Sequence, residues 1–287
     1  MRLQVVHETH YTYASPVLLS QQLLHLRPRA LPWQKCTAHR LSIEPNPGEF
    51  AEREDYFGNP VAQLLIAAPH DELLVRAAST LEIAPRERAA LCLPRAPWEA
   101  AREQARSAAA DFLHESPHVQ TWRDLLEYAA RCFPAGRAAL DGALELTGRI
   151  HRDFRFDKAA TRVATPLREV MKRRRGVCQD FAHLMTGCLR SLGLAARYVS
   201  GYLLTEPPPG RPRLVGADAS HAWVSVYCGT HGGWVDFDPT NDCIVDDEHA
   251  TLAWGRDFGD VTPMRGVILG GAEQALAVRV TVTPSAG

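Results

Sequence analysis

The 287-residue sequence predicts an α+β protein: a β domain, then a core in which helices precede strands. Three observations carry the prediction. Residues 1–85 alternate apolar and polar positions between Pro, Gly and Asn turns, which is strand periodicity. Residues 121–193 repeat apolar side chains every three or four positions, which is helix periodicity. After 195 the alternation returns in three short segments.

In the first region RLQVVHETHYTY, TAHRLSIEPN and ELLVRAASTLEI read as strands, broken by EPNPGE and FGNP. They define an antiparallel N-terminal β domain over 1–85. Residues 86–118, with LPRAPWEAAREQ, read as a connector with some helix, and 119–243 as the core. In TWRDLLEYAARCF, Thr121 is placed to cap a helix with Leu125, Tyr128, Ala129 and Cys132 on one face. DGALELTGRIHRDF carries a stripe through Leu144, Leu146 and Ile150. TPLREVMKRRRG enters at a Thr-Pro pair, and Gly176 is the expected stop. From Cys178, residues Phe181, Leu184, Met185, Cys188, Leu189 and Leu192 form a further helical stripe, ended by Gly193. AARYVSGYLL, HAWVSVYC and GGWVDFDP follow as strands. A Pro/Gly-rich loop from Glu206 to Ser220 separates the first two and is expected to border a cleft. Residues 244–287 form a C-terminal segment with a last strand, ALAVRVTVTP; periodicity leaves open whether it joins the β domain.

Hydrophobic residues make up 46% of the chain and charged residues 23%, the balance of a soluble globular protein. A net charge of −1 supplies no field that would draw nucleic acid or a membrane surface. The N-terminus has no apolar signal region and no run is long enough to span a bilayer, so a cytoplasmic protein is expected. Seven cysteines, an odd number, read as free thiols in a reducing compartment.

One of these thiols has a distinctive address. RRRGVCQDFAHL puts Cys178 at a helix start, behind a basic run. A helix N-terminus carries partial positive charge and unpaired N–H groups, which stabilise a thiolate and can bind an oxyanion. Cys188, in mid-stripe, reads as core. A thiolate nucleophile needs a base, and the base an orienting acid. His221 lies opposite the apolar face formed by Ala222, Val224, Val226 and Cys228. On the next strand Asp236 and Asp238 share a face, and periodicity does not choose between them.

Together GVCQDFAH, ARYVSGY, ASHAWVSV and WVDFDPTN resemble the transglutaminase-like cysteine hydrolase superfamily. HETHYTYASPV and WGRDFGDVTPMRGVILGG narrow the resemblance to bacterial transglutaminase-like proteins with an N-terminal β domain. The resemblance implies a papain-like core, a Cys-bearing helix packed on an antiparallel sheet. It implies the order Cys178, His221, Asp238, because the family's acid precedes Pro-Thr. It also implies attack on an amide or peptide carbonyl through a thioester, with hydrolysis favoured over crosslinking. No cofactor and no metal follow from it, and the partner is a peptide or protein substrate. Tyr202 of SGY and Trp223, on the His221 face, are substrate-binding candidates. His151, Phe154 and Phe156 lie upstream of Cys178, where some relatives carry a second oxyanion donor, and none is assigned.

Competing readings are a zinc site from Cys228, His231, Cys243 and His249, and a non-catalytic protein- or peptide-binding module on the same fold. The zinc set lacks a second tight pair, and its Cys228 points to the core face. The intact Cys-His-Asp order opposes the binding module. Arg173–Arg175 read as a solvated helix face rather than an RNA site. Substrate identity and oligomeric state leave no mark in the sequence.

Overall fold

The computed structural model describes residues 1–160, 165–205 and 220–285. The first region forms β1 (Arg2–Leu24), β2 (Gln34–Glu44), β3 (Glu49–Glu54), β4 (Pro60–Ile66) and β5 (His70–Ile83). The connector holds α1 (Glu87–Leu91) and α2 (Trp98–Ala108). There follow α3 (Arg123–Ala130), α4 (Ala139–Asp153), β6 (Arg155–Phe156), α5 (Leu167–Arg173), β7 (Arg175–Gly176) and α6 (Cys178–Ser191). The chain ends through β8 (Ala196–Leu203), β9 (Ser220–Tyr227), β10 (Trp234–Asp238), β11 (Cys243–Ile244), β12 (His249–Gly255), α7 (Phe258–Val261), β13 (Met264–Gly270) and β14 (Gln274–Pro284).

The first sheet runs β2-β5-β1-β4-β3, with β13 and β14 also on β1. Alternation explains β1: Leu3, Val5, His7 and Thr9 are buried, and the residues between them face outward or sit half-buried. Its first half lies between β5 and β14, pairing Val5 with Ser79 and Val282. Its second half lies between β4 and β13, pairing Leu23 with Gln63 and Arg265. A bulge between Thr12 and Val17 makes the change of partners possible. The last strand therefore belongs to the N-terminal sheet.

The second sheet is antiparallel, in the order β11-β10-β9-β8-β12. It extends past the expected core boundary at 243, because β12 pairs with the open edge of β8. The helix α6 packs Phe181, Leu184, Met185 and Leu189 into one core with Ala222, Val224 and Val226 of β9. Leu3, Val5, Leu81, Val280 and Val282 of the first sheet belong to that same core, at about 1.5–3 kcal/mol per buried side chain. The two sheets are also stitched by polar contacts. The His7 Nδ1 and the Tyr202 hydroxyl lie 2.9 Å apart, and the Arg29 guanidinium stacks 3.6 Å over Trp254.

Several local expectations change. Thr121 does not cap α3: Trp122 takes that position, and the Thr121 N–H and hydroxyl instead bond Glu115, both at 2.7 Å. Gly176 does not end α5. Arg174 does, in the left-handed region at φ 55°, and Gly176 joins a two-residue parallel ladder opposite Phe156. The basic run thus leaves the helix at Arg174, whose guanidinium packs over Phe154 and Tyr128. Strand β9 has no solvent face: Val224 and Val226 meet α6, while Trp223 is enclosed with Val199, Val245 and Trp254. The Pro/Gly-rich loop expected to border the cleft lies, over 206–219, outside the described residues. No helix among the described residues is long and apolar enough to cross a membrane.

Candidate active site

The start of α6 is built for a fixed first turn. The Val177 N–H donates to Asp180 Oδ2 at 2.8 Å, so a side chain three residues into the helix closes back on the cap. That fold-back explains Gly176, where an added Cβ would stand 2.7 Å from Asp180 Oδ2. The helix ends at Gly193, at φ 78°, with its N–H on Arg190 O and the Leu194 N–H on Leu189 O. Further along, the buried Arg190 guanidinium binds the Phe112, His114, Ala196 and Arg256 carbonyls and the Ser116 hydroxyl. The helix is therefore locked at both ends, with Cys178 partly exposed at its first position.

His221 lies near the beginning of β9, and Asp238 at the end of β10. Antiparallel pairing, with Phe237 opposite Val224, carries Asp238 toward His221. His221 Nε2 lies 2.7 Å from Asp238 Oδ2. The Cys178 thiol acts on the same imidazole, and like Asp238 it favours the charged ring. Asp236, the alternative acid, forms an ion pair with Arg86 at 3.0 Å and accepts from Trp223 Nε1 at 3.4 Å. Tertiary pairing thus separates two acids that share a strand face.

Asp238 is fully buried and fully engaged. Its Oδ1 accepts the N–H groups of Thr240 at 2.8 Å and Asn241 at 3.3 Å. Its Oδ2 accepts from His221, from Asn241 Nδ2 at 2.6 Å and from His249 Nε2 at 3.2 Å. Burial alone would raise the carboxyl pKa, but the bonds from His221 and His249 win and hold it well below the usual carboxylate range. For His221, burial opposes the charge, yet its bonds to Asp238 and Cys178 raise its pKa to about 10. The imidazolium is therefore the favoured form at neutral pH. Cys188 and Cys228 differ: burial pushes the first thiol far up and the second to about 12.

The other predicted site residues fall elsewhere. Tyr202 is 1% exposed with its hydroxyl turned to His7, and Trp223 is fully enclosed with its ring edge-on to His249 at 5.3 Å. Neither presents surface to a substrate, because both faces of this sheet are covered. Gly201 makes room for Trp223, whose ring lies 2.3 Å from where a Cβ would stand. Of the upstream trio, Phe154 is core, His151 bonds the Thr240 carbonyl at 2.8 Å through Nδ1, and Phe156 is exposed opposite Gly176. Cys228 lies in the core and His249 against Asp238, so the competing zinc set does not gather. Ligand-type atoms of His221, Asp238 and His249 do lie within 4.8 Å of one another. At 2.7 and 3.2 Å they are hydrogen-bond partners, and a cation would have to displace those bonds. Sequence reasoning missed Asn241 and weighed His249 only as a zinc ligand, not as a partner of Asp238. Asn241 stood inside the WVDFDPTN motif without a role, and His249 comes from a strand whose pairing has no local signal.

Residues 3–82 match the bacterial transglutaminase-like N-terminal region, and residues 127–239 match the transglutaminase-like superfamily. An uncharacterised protein of Mycobacterium tuberculosis is 38% identical over 294 residues, spanning 100% of this chain and 94% of its own length. A protein-glutamine gamma-glutamyltransferase of Pseudomonas aeruginosa is 41% identical over 68 residues, 23% of this chain and 10% of that protein. Among solved structures, a Cytophaga hutchinsonii chain described as a candidate cysteine protease superposes with TM-score 0.75 at 19% identity. It covers 99% of this chain and 90% of that one, which is a likeness of fold.

Proposed function

The chain belongs to the bacterial transglutaminase-like proteins of the transglutaminase-like superfamily, and we propose that it is a cysteine-dependent amide or peptide hydrolase. One observation carries the reading: the His221 imidazole, which the Cys178 thiol also acts on, lies 2.7 Å from the buried Asp238 carboxylate. In this reading Cys178 is the nucleophile, His221 the base and then the acid, and Asp238 the group that fixes the tautomer.

The Cys178 thiolate attacks the carbonyl carbon, and the carbonyl oxygen takes the electron pair. The Cys178 N–H, at the first position of α6 where the helix itself supplies no acceptor, is placed to receive that oxyanion. His221 Nδ1 gives its proton to the leaving amine as the C–N bond breaks, which leaves an acyl thioester on Cys178. Neutral His221 then takes a proton from water, the hydroxide attacks the thioester, and the thiolate–imidazolium pair is restored. A primary amine in place of water would give transfer instead. Asp238 stays ionised throughout, as its five hydrogen bonds favour. Peptides or proteins are the substrate class we propose.

The test is hydrolysis of a peptide and amide library, with and without a primary-amine acceptor, by wild type and Cys178→Ala. Wild type should release amine without needing the acceptor, and the variant should lose at least about a thousandfold in rate. Unchanged turnover in Cys178→Ala would sink the mechanism. Product that forms only with the acceptor present would replace hydrolysis by transfer.

A further inference from the structure

Asp238 Oδ2 is crowded beyond what orienting one histidine requires. The carboxylate is already aimed by backbone, since Oδ1 holds the Thr240 and Asn241 N–H groups. Yet Oδ2 also accepts from Asn241 Nδ2 and, across the sheet, from His249 on β12. His249 is 4% exposed, and its ring centroid lies 6.1 Å from that of His221. Its Nδ1 is buried with no hydrogen-bond partner among the described residues. A proton there would be an orphaned buried donor, so the ring favours the tautomer with hydrogen on Nε2, directed at Asp238.

We propose that His249 is a positioning residue for the Cys178–His221 pair: by taking a share of the Asp238 carboxylate, it keeps His221 ready to release its proton to the leaving amine. The inference rests on the reading of Cys178, His221 and Asp238 as nucleophile, base and acid. Its physical basis is competition for one oxygen. Each hydrogen bond to Oδ2 withdraws negative charge that would otherwise stabilise the imidazolium. An imidazolium held too tightly is a poor general acid, because proton transfer works best when the acid is not far weaker than the task requires. Removing the His249 donor leaves the carboxylate aimed by Thr240 and Asn241 but concentrates its charge on His221. Among the described residues, the ionisable groups facing His221 are Cys178 from α6, Asp238 from β10 and His249 from β12. Those facing His249 are Asp238 and His221, and Cys243 on β11 is the ladder partner of Asp238.

Iodoacetate alkylation of Cys178 reads the imidazolium without a known substrate. The thiolate displaces iodide, an S–C bond forms as the C–I bond breaks, and the anionic reagent reacts faster while His221 is charged. The rate should therefore fall on the alkaline side as the imidazolium loses its proton. The profile is measured by mass spectrometry for wild type, His249→Phe, His249→Gln and His221→Ala. In His249→Phe the alkaline limb should move up by about one pH unit, a tenfold tighter imidazolium. In His249→Gln, whose amide N–H can still donate, it should return toward wild type. An alkaline limb that stays put or moves down in a folded His249→Phe overturns the proposal. Should that variant fail to fold, nitrogen NMR of the wild-type His249 ring decides: hydrogen on Nε2 is expected, and hydrogen on Nδ1 overturns it. His221→Ala separates the two claims. If it keeps the wild-type profile, the Cys178–His221 reading itself is wrong; if it loses the alkaline limb while His249→Phe does not shift it, only the role of His249 fails.

Discussion

Substituting Gly176 by Ala tests how the start of α6 is held. An added Cβ would lie 2.7 Å from Asp180 Oδ2, 2.8 Å from Asp180 Cβ and 3.0 Å from its Cγ. Ordinary contact begins near 3.4 Å, so the Asp180 side chain must retreat by roughly 0.6 Å, and its Cβ has no free rotation to do so. Retreat stretches the 2.8 Å bond from the Val177 N–H. Losing a charged cap costs about 1–2 kcal/mol, and overpacking a buried first turn costs about 1–3 kcal/mol. The expected loss is about 2–5 kcal/mol by urea unfolding. Because Cys178 sits two residues on, its alkylation should also slow by about tenfold or more, as misplacement by a fraction of an ångström disturbs a reacting pair. The decisive comparison is a double-mutant cycle with Asp180→Gly, which removes the Asp180 Cβ as well as its carboxyl. With that side chain gone, Gly176→Ala should cost less than about 1 kcal/mol. An equal cost in both backgrounds would refute the argument, because the clash would then not involve that side chain.

Three further outcomes follow from the site and its supports. Asp238→Asn should stay folded but lose roughly a thousandfold to ten-thousandfold in turnover of whichever library peptide wild type cleaves, since an amide N–H facing His221 inverts its tautomer. Retention of activity would remove Asp238 from the mechanism. Stability should depend on pH through His221, whose pKa rises from 6.5 to about 10 on folding. That contribution is complete below pH 6.5 and is lost as pH climbs toward 10, with an upper bound of about 5 kcal/mol at 1.36 kcal/mol per unit. Denaturant midpoints should therefore fall from pH 6.5 to 10 in wild type and stay flat in His221→Ala; parallel slopes would contradict the shift. Tyr202→Phe should cost about 1–3 kcal/mol in unfolding free energy, because it strands the buried His7 Nδ1. Alkylation of Cys178 and peptide KM should be unchanged; a raised KM at unchanged stability would return Tyr202 to the substrate site.

Much of this architecture is readable from local pattern. The alternation of β1 and the stripe from Phe181 to Leu192 each reflect one element burying one face, and such patterns survive in any context. Patterns fail where burial comes from two directions. Strand β9 has apolar residues on one side and His221, Trp223, Ser225 and Tyr227 on the other, which suggests a wet face. That face is closed by Val199, Val245 and the β12 residues His249 and Trp254, so Trp223 is core and not a wall of the cleft. The Arg173–Arg175 run is solvated as expected, with side chains 54%, 42% and 55% exposed, but the helix ends before Arg174, which turns into the left-handed region and lays its guanidinium over Phe154.

The sequence by itself determined the family, and it placed a thiol at a helix start and a histidine and an acid on successive strands, in an order that the family shares. It could do so because helix caps and strand periods are local, and because a family motif lies in contiguous residues. Only the tertiary structure showed that Asp238, which the family motif implied and periodicity left open, meets His221, that Asn241 and His249 share the Asp238 oxygen, and that the last strand closes the first sheet. Those are choices of pairing between segments distant in sequence, such as β12 with β8 and β14 with β1. Strand register sets them, together with the requirement that each buried polar atom find a partner, and neither is written in any one stretch of residues.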